Sequence, residues 1–306
     1  MAIIKNFKRV RSVTKAINAV RGEVEERVSI AVIAESQVEA ELSAILQLEG
    51  EGEVVFGLNS LPGEKRKEAR LRDADLALAA VSPNQSREDL LAMLEQASLT
   101  GTRLVVVTGR EINDWSVKDL TEIFRVSGED VTFIPFSDKA VMRTILVPKI
   151  VDKLAKKQIA LAATLPVFRE EVAKRTILET AKQNALIGVA VFVPGADMPL
   201  LTLNQIKMIL RLAAIYNQEL SAKRLSEVLA TVGGGFAFRE AARQLVSLVP
   251  VAGWAVKGGV AYGGTLVMGQ LAKKYFEREK GEVLESLATD RADIKQGGEA
   301  ESIYKS

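Results

Sequence analysis

Val28-Ser29-Ile30-Ala31-Val32-Ile33-Ala34 decides the fold. It is a short apolar run, rich in β-branched residues, of the kind that reads as a strand buried on both faces. Four more segments toward the C-terminus repeat its character: Glu53–Phe56, Asp75–Val81, Thr102–Val107 and Val131–Phe136. Helical stretches alternate with them at Ser36–Leu48, Leu61–Arg72, Ser86–Ala97, Ser116–Phe124 and Val141–Lys157. Ser86–Ala97 carries Leu90, Leu91 and Leu94 on one side, and Ser116–Phe124 carries Val117, Leu120, Ile123 and Phe124. Strands alternating with helices build parallel βαβ units, so the expected architecture is α/β, a doubly wound and mostly parallel sheet.

This element order resembles that of a small GTPase-like domain, although an ordinary α/β domain unrelated to GTPases also fits, and a GTPase-like domain needs a glycine-rich loop after its first strand. The glycines let backbone amides close around phosphates, a lysine neutralises their charge, and a hydroxyl holds magnesium. Here the strand runs into Ala34-Glu35-Ser36-Gln37-Val38-Glu39-Ala40-Glu41. Ala34 stands at the first glycine, and Glu39, Ala40 and Glu41 replace Gly-Lys-Ser/Thr. Three glutamates facing a polyphosphate repel it, and no cation offsets them. Val107-Thr108-Gly109-Arg110-Glu111 lacks the guanine-reading pattern, and Pro135-Phe136-Ser137-Asp138-Lys139 is a faint echo of the Ser-Ala-Lys loop. The domain is therefore expected to be GTPase-like without a phosphate loop and without a nucleotide cofactor. Asp73 and Asp75 before the third strand suit turn or cap roles better than a metal pair.

Composition narrows the chemistry further. The chain of 306 residues has no histidine and no cysteine, so no Ser-His-Asp or Cys-His nucleophile, no His/Cys zinc site and no disulfide is possible. No catalytic residue and no metal site is assigned, and the chain reads as a non-enzyme. Its 41 basic and 39 acidic residues give no global field toward nucleic acid. The N-terminus shows no signal-peptide pattern, so a secreted protein is not expected and the expected location is cytoplasmic.

The N-terminus is an amphipathic helix over residues 3–20, with Ile3, Phe7, Val10, Val13, Ile17 and Val20 at helical spacing. Lys5, Lys8, Arg9, Arg11 and Lys15 lie among them, and the first 21 residues contain no acid. Such a helix suits an anionic membrane surface, where each cation adds roughly 1 kcal/mol of attraction. It equally suits a packed helix with a solvated basic face.

Beyond Leu161 strand signals fade and prolines punctuate helical stretches. Thr202-Leu203-Asn204-Gln205 has the form of a capping box opening a helix over Ile206–Tyr216, and Ser221 caps the next, which runs to Gly233-Gly234-Gly235. Phe236–Val249 and Trp254–Phe276 follow. Leu245–Met268 is 24 residues with a single charge, Lys257, long enough to cross a bilayer, although Pro250, five glycines and that lysine oppose a simple span. Ala255, Gly259 and Gly263 form one small-residue stripe, and Ala261, Thr265 and Gly269 another. Such stripes let helices approach closely. A buried hairpin and a membrane-inserted one both fit. Asp197 sits in an apolar, proline-bounded stretch; either it caps a helix or it is buried beside Arg211, Arg239 or Lys257. The resulting organisation is a basic helix (1–22), the α/β domain (23–157), an all-α domain (158–281) and an acidic, polar tail (282–306), which is expected to be disordered.

The helical part resembles the YcjF-like family of uncharacterised bacterial proteins. The resemblance is carried by Pro194-Gly195-Ala196-Asp197-Met198-Pro199, Leu201-Thr202-x-x-Gln205, Ala213-x-x-Tyr216, Gly234-Gly235-Phe236, Arg239, Pro250-x-x-Gly253 and Ala261-Tyr262-x-x-Thr265. It covers about a third of the chain, Asn184–Phe276. That domain also follows some Era-like GTPases. The resemblance implies membrane association or partnership with a GTPase, and brings no catalytic residue. The leading expectation is a non-catalytic scaffold at the inner face of the cell membrane, contacting anionic lipid and itself or a GTPase. A soluble adaptor that docks on a true GTPase and an enzyme with an atypical nucleotide site are the alternatives.

Overall fold

The computed structural model describes residues 2–47, 54–59, 61–82, 85–108, 117–134, 139–190, 198–232 and 258–279. Their contacts divide the chain into two compact units, Gly22–Val172 on the one hand and Met1–Arg21 with Ala173–Ser306 on the other.

The first unit holds five strands: β1 (Ile30–Ile33), β2 (Val55–Gly57), β3 (Leu76–Val81), β4 (Arg103–Thr108) and β5 (Val131–Ile134). All pair in parallel, in the order β2-β1-β3-β4-β5. The helices between them are α2 (Ser36–Gln47), α3 (Glu64–Arg72), α4 (Arg87–Ala97) and α5 (Val117–Phe124), with α6 (Lys139–Lys153) after β5. The sheet is doubly wound, as the alternation of apolar runs requires. Ala31, Ile33, Ala77, Ala79, Val81 and Val105 pack with Leu71 of α3, Leu90 and Met93 of α4, and Leu120 and Phe124 of α5. The intervening residues Ile30, Val32, Leu76, Leu78 and Leu104 are equally buried on the opposite face, where α2 lies against β1 and β2 and α6 against β5. Period-two side chains with both faces covered explain why these strands are continuously apolar rather than alternating.

The unit closes with a short helix, α7 (Gln158–Thr164), whose Ile159, Ala160, Leu161, Ala162 and Ala163 are all buried. Asp75 is a latch at the N-terminal edge of the sheet. Its carboxylate accepts from Ser29 N at 3.0 Å and from Lys157 Nζ at 2.7 Å, while Lys157 also donates to Arg27 O at 2.8 Å. Asp73 is the C-cap of α3. Neither belongs to a group of acids able to hold a metal among the described residues. At the far edge Lys153 pairs with Asp130. Partial burial raises the Asp130 carboxyl, but the bonds from Lys153 and Ser127 outweigh it and hold it below its usual 3.8.

The second unit is all helical. It comprises most of α1 (Ala2–Glu25), then α8 (Arg169–Ala190), α9 (Met198–Ile215), α10 (Ala222–Val232) and α11 (258–279). Ala16, Ile17 and Val20 of α1 are buried, and Arg21 donates to Leu220 O at 2.9 Å. Ser221 caps α10, its Oγ accepting from Arg224 N at 3.1 Å. The capping-box reading of Thr202–Gln205 is corrected: α9 starts at Met198, so these residues lie inside the helix. Pro199 at its second position supplies the start instead, since proline needs no intrahelical N–H partner there.

Candidate functional site

In a doubly wound sheet the ligand crevice lies beyond the strand C-termini where the winding direction reverses, here between β1 and β3. Only Ala34 and Glu35 separate β1 from α2. Glu39 N already donates to Glu35 O at 2.8 Å, so the helix is under way within the stretch where a phosphate loop would wrap. This corrects the picture of three glutamates facing a ligand. Glu35 is exposed, and Glu41 accepts from Gln37 Nε2 one turn earlier at 3.4 Å. Glu39 turns inward and is 2% exposed.

The Glu39 carboxylate is held by a backbone amide on the β2 side of β1. Both its oxygens lie 3.0 Å from Asn59 N, just past the end of β2. Asn59 Nδ2 donates back to Ala34 O at 2.8 Å. Gly57 makes the room: a Cβ there would sit 2.1 Å from Glu39 Oε1. Beyond β3 the pattern repeats with an amide. Gln85 is buried, and its Oε1 accepts from Ser82 N at 2.9 Å. Backbone amides just past the ends of β2 and β3 thus bind the chain's own acceptors.

In the helical unit the central feature is a polar junction of three helices. Thr265 of α11 is fully buried. Its hydroxyl donates to Ala261 O at 2.7 Å and accepts from Asn184 Nδ2 of α8 at 2.9 Å and from Gln205 Nε2 of α9 at 3.1 Å. Asn204 Nδ2 then donates to Asn184 Oδ1 at 3.0 Å. One donor and two acceptor sites exhaust a hydroxyl, so that of Thr265 is fully used within the junction. At the other end of α11, Arg224 binds Glu279, Glu227, Tyr275 and Gln218. The Glu279 bond raises the Arg224 guanidinium above its usual value. Burial, and then the same carboxylate, raises the Tyr275 phenol. Tyr216 OH donates to Glu277 at 2.9 Å, and its ring stacks on Phe276 at 6.4 Å.

Of the residues singled out in the sequence, Thr265 and Gly269 come together on the buried face of α11. A Cβ at Gly269 would stand 2.7 Å from Ile177 of α8 and 3.1 Å from Met208 of α9. Gly259 and Gly263 sit on another face, with no described atom within 4 Å of a Cβ placed there. Lys15 is exposed on α1. Lys5, Lys8, Arg9 and Arg11 also lie on α1, and their side chains are outside the described set. Ala255, Asp197, Arg239 and Lys257 lie outside the described residues, as does the tail 282–306. Asn184 and the pairing of Gln205 with Thr265 were missed. The signal available was three amide or hydroxyl residues, each set in an apolar helical stretch.

With this geometry in place, residues 153–291 match a protein family described as a domain of unknown function, DUF697. The C-terminal helical region thus carries a domain of an uncharacterised family. No curated protein matches the chain.

Proposed function

We propose that this protein is a non-catalytic, membrane-associated interaction or scaffold protein, with a pseudo-GTPase sheet unit that holds no nucleotide. The observation that carries the reading is the two-residue β1–α2 connection with Glu39 seated on Asn59 N. A polyphosphate needs a wrapped loop of free amides and a cation at that position. The chain offers a helix already formed and a buried carboxylate. The YcjF-like resemblance of the helical part, with its kinship to domains that follow GTPases, supports a place beside nucleotide-switched partners. Attachment is assigned to the helical unit and to Lys5, Lys8, Arg9, Arg11 and Lys15, against anionic lipid at the inner face of the cell membrane.

The test is one preparation measured two ways. Titration with fluorescent GTP and ATP is expected to give no saturable signal; saturation by either would revive an enzyme with an atypical site. Flotation with anionic vesicles is expected to recover the protein, and reversing the five N-terminal charges to weaken that recovery sharply. A variant that floats as well as the wild type removes the basic helix from the reading. The soluble adaptor is favoured by one observation, the burial of Ala16, Ile17 and Val20 within the protein. It would be established by a compact detergent-free monomer or dimer that does not float.

A further inference from the structure

In the sheet unit α4 and α5 lie side by side, and between them opens a cleft of about 240 Å³. Leu91, Leu94 and Ile123 are its apolar lining, and Arg87, Glu122 and Arg125 are its charged lining. Leu91 is 47% exposed, on a helix whose Leu90 and Met93 already serve the core. The side chains of Arg87, Glu122 and Arg125 are exposed and make no hydrogen bond or ion pair among the described residues. The cleft is smaller than the usual small-molecule pocket of about 300–1,000 Å³. An apolar centre within a polar rim is instead the layout of a protein contact surface. Its C-terminal end is described without a break: residues 98–102 lead from α4 to β4, and 125–130 from α5 to β5.

The backbone at Arg125 is a second, independent observation. Arg125 follows the last residue of α5 with φ +50°, and Val126 N donates to Thr121 O at 3.3 Å across it. That is the left-handed turn that closes many helices, and its usual occupant is glycine because a Cβ is disfavoured there. An arginine where glycine costs less points to a use for its side chain. Glu122 stands three positions earlier, a spacing that pairs charges along a regular helix. Arg125 has left the helical backbone, and the two remain unpaired.

The charges are complementary to themselves when reversed. On the cleft side of α5 the acid Glu122 comes before the base Arg125. On α4 the base Arg87 comes before the exposed acid Glu95. A two-fold axis across the cleft lays each helix antiparallel on its own copy. Arg125 of one copy then meets Glu122 of the other, twice over. Arg87 is directed toward Glu95, and the Leu91 side chains of both copies close the shared apolar centre. We infer that the cleft between α4 and α5 is a self-association surface, and that its occupant is a second copy of this chain held by the reciprocal Arg125–Glu122 pairs. The inference is independent of membrane attachment.

The test is sedimentation velocity of the full-length protein over a range of concentrations. The wild type is expected to pass from monomer to dimer as concentration rises. R125E and E122R each set like charges against one another and are expected to weaken the dimer about ten-fold or more. E122R/R125E restores both contacts with the signs exchanged and is expected to recover most of the affinity. Arg125→Gly is expected to weaken the dimer while raising the denaturant midpoint of the dilute monomer, which separates the contact from folding. The chain has no cysteine, so Leu91→Cys is expected to give a covalent dimer on mild oxidation, and Lys65→Cys on α3 is expected to give none. A monomer at every concentration overturns the inference. A dimer that R125E, E122R and Arg125→Gly leave intact also overturns it, because the contact then lies elsewhere. Single variants that weaken the dimer without recovery in the double variant overturn the pairing of Arg125 with Glu122.

Discussion

Glu39 shows how a single side chain decides whether a strand end is open or closed. A buried carboxylate is costly unless its acceptor capacity is used, and here both oxygens face Asn59 N. Gly57 is the complementary residue. Gly57→Ala places a methyl 2.1 Å from Glu39 Oε1, so the carboxylate must leave its amide or the backbone must move. The expected loss is about 1–3 kcal/mol, read as a lower melting temperature; an unchanged melt would show that Glu39 relocates without cost. Part of this scale was legible. Ser221 does cap α10, because a cap uses local chemistry; Asp75, expected in a turn or cap role, instead bonds Ser29 N 46 positions away. The inward turn of Glu39 was not, since the group it meets lies twenty positions away, just past the end of β2.

The elements themselves were largely written in apolar periodicity. All five strands and the helices between them fall within a few residues of their expected positions, because a strand covered on both faces and an amphipathic helix leave different patterns. Helix α9 was cut short for a physical reason. Thr202 and Gln205 have the chemistry of a cap, and only the position of α11 reveals that Gln205 bonds Thr265 across the core. Removing that hydroxyl isolates buried amides without changing volume much. Thr265→Val is therefore expected to cost about 1–3 kcal/mol in chemical denaturation, and Thr265→Ser to recover most of it. A small loss in Thr265→Val beside a larger one in Thr265→Ser would assign the cost to packing of the methyl instead.

At the scale of the molecule the chain is discontinuous: Gly22–Val172 interrupts a unit made from Met1–Arg21 and Ala173–Ser306. The inner segment has a complete sheet, helices on both faces and its own latch of Asp75 and Lys157. A fragment spanning 22–172 is expected to be folded, with one cooperative thermal transition. A fragment lacking cooperative melting would mean that the helices outside it are needed for its core.

The sequence by itself determined the architecture of each part, the exclusion of histidine and cysteine chemistry, and the lack of a glycine-rich loop after the first strand. Each follows from composition or from a repeat shorter than one element, and needs no knowledge of what lies opposite. The tertiary structure alone decided that Glu39 bonds the amide of Asn59 and that Thr265 joins three helices. Those depend on which distant segments meet, and burial, hydrogen-bond satisfaction and surface charge are properties of that meeting.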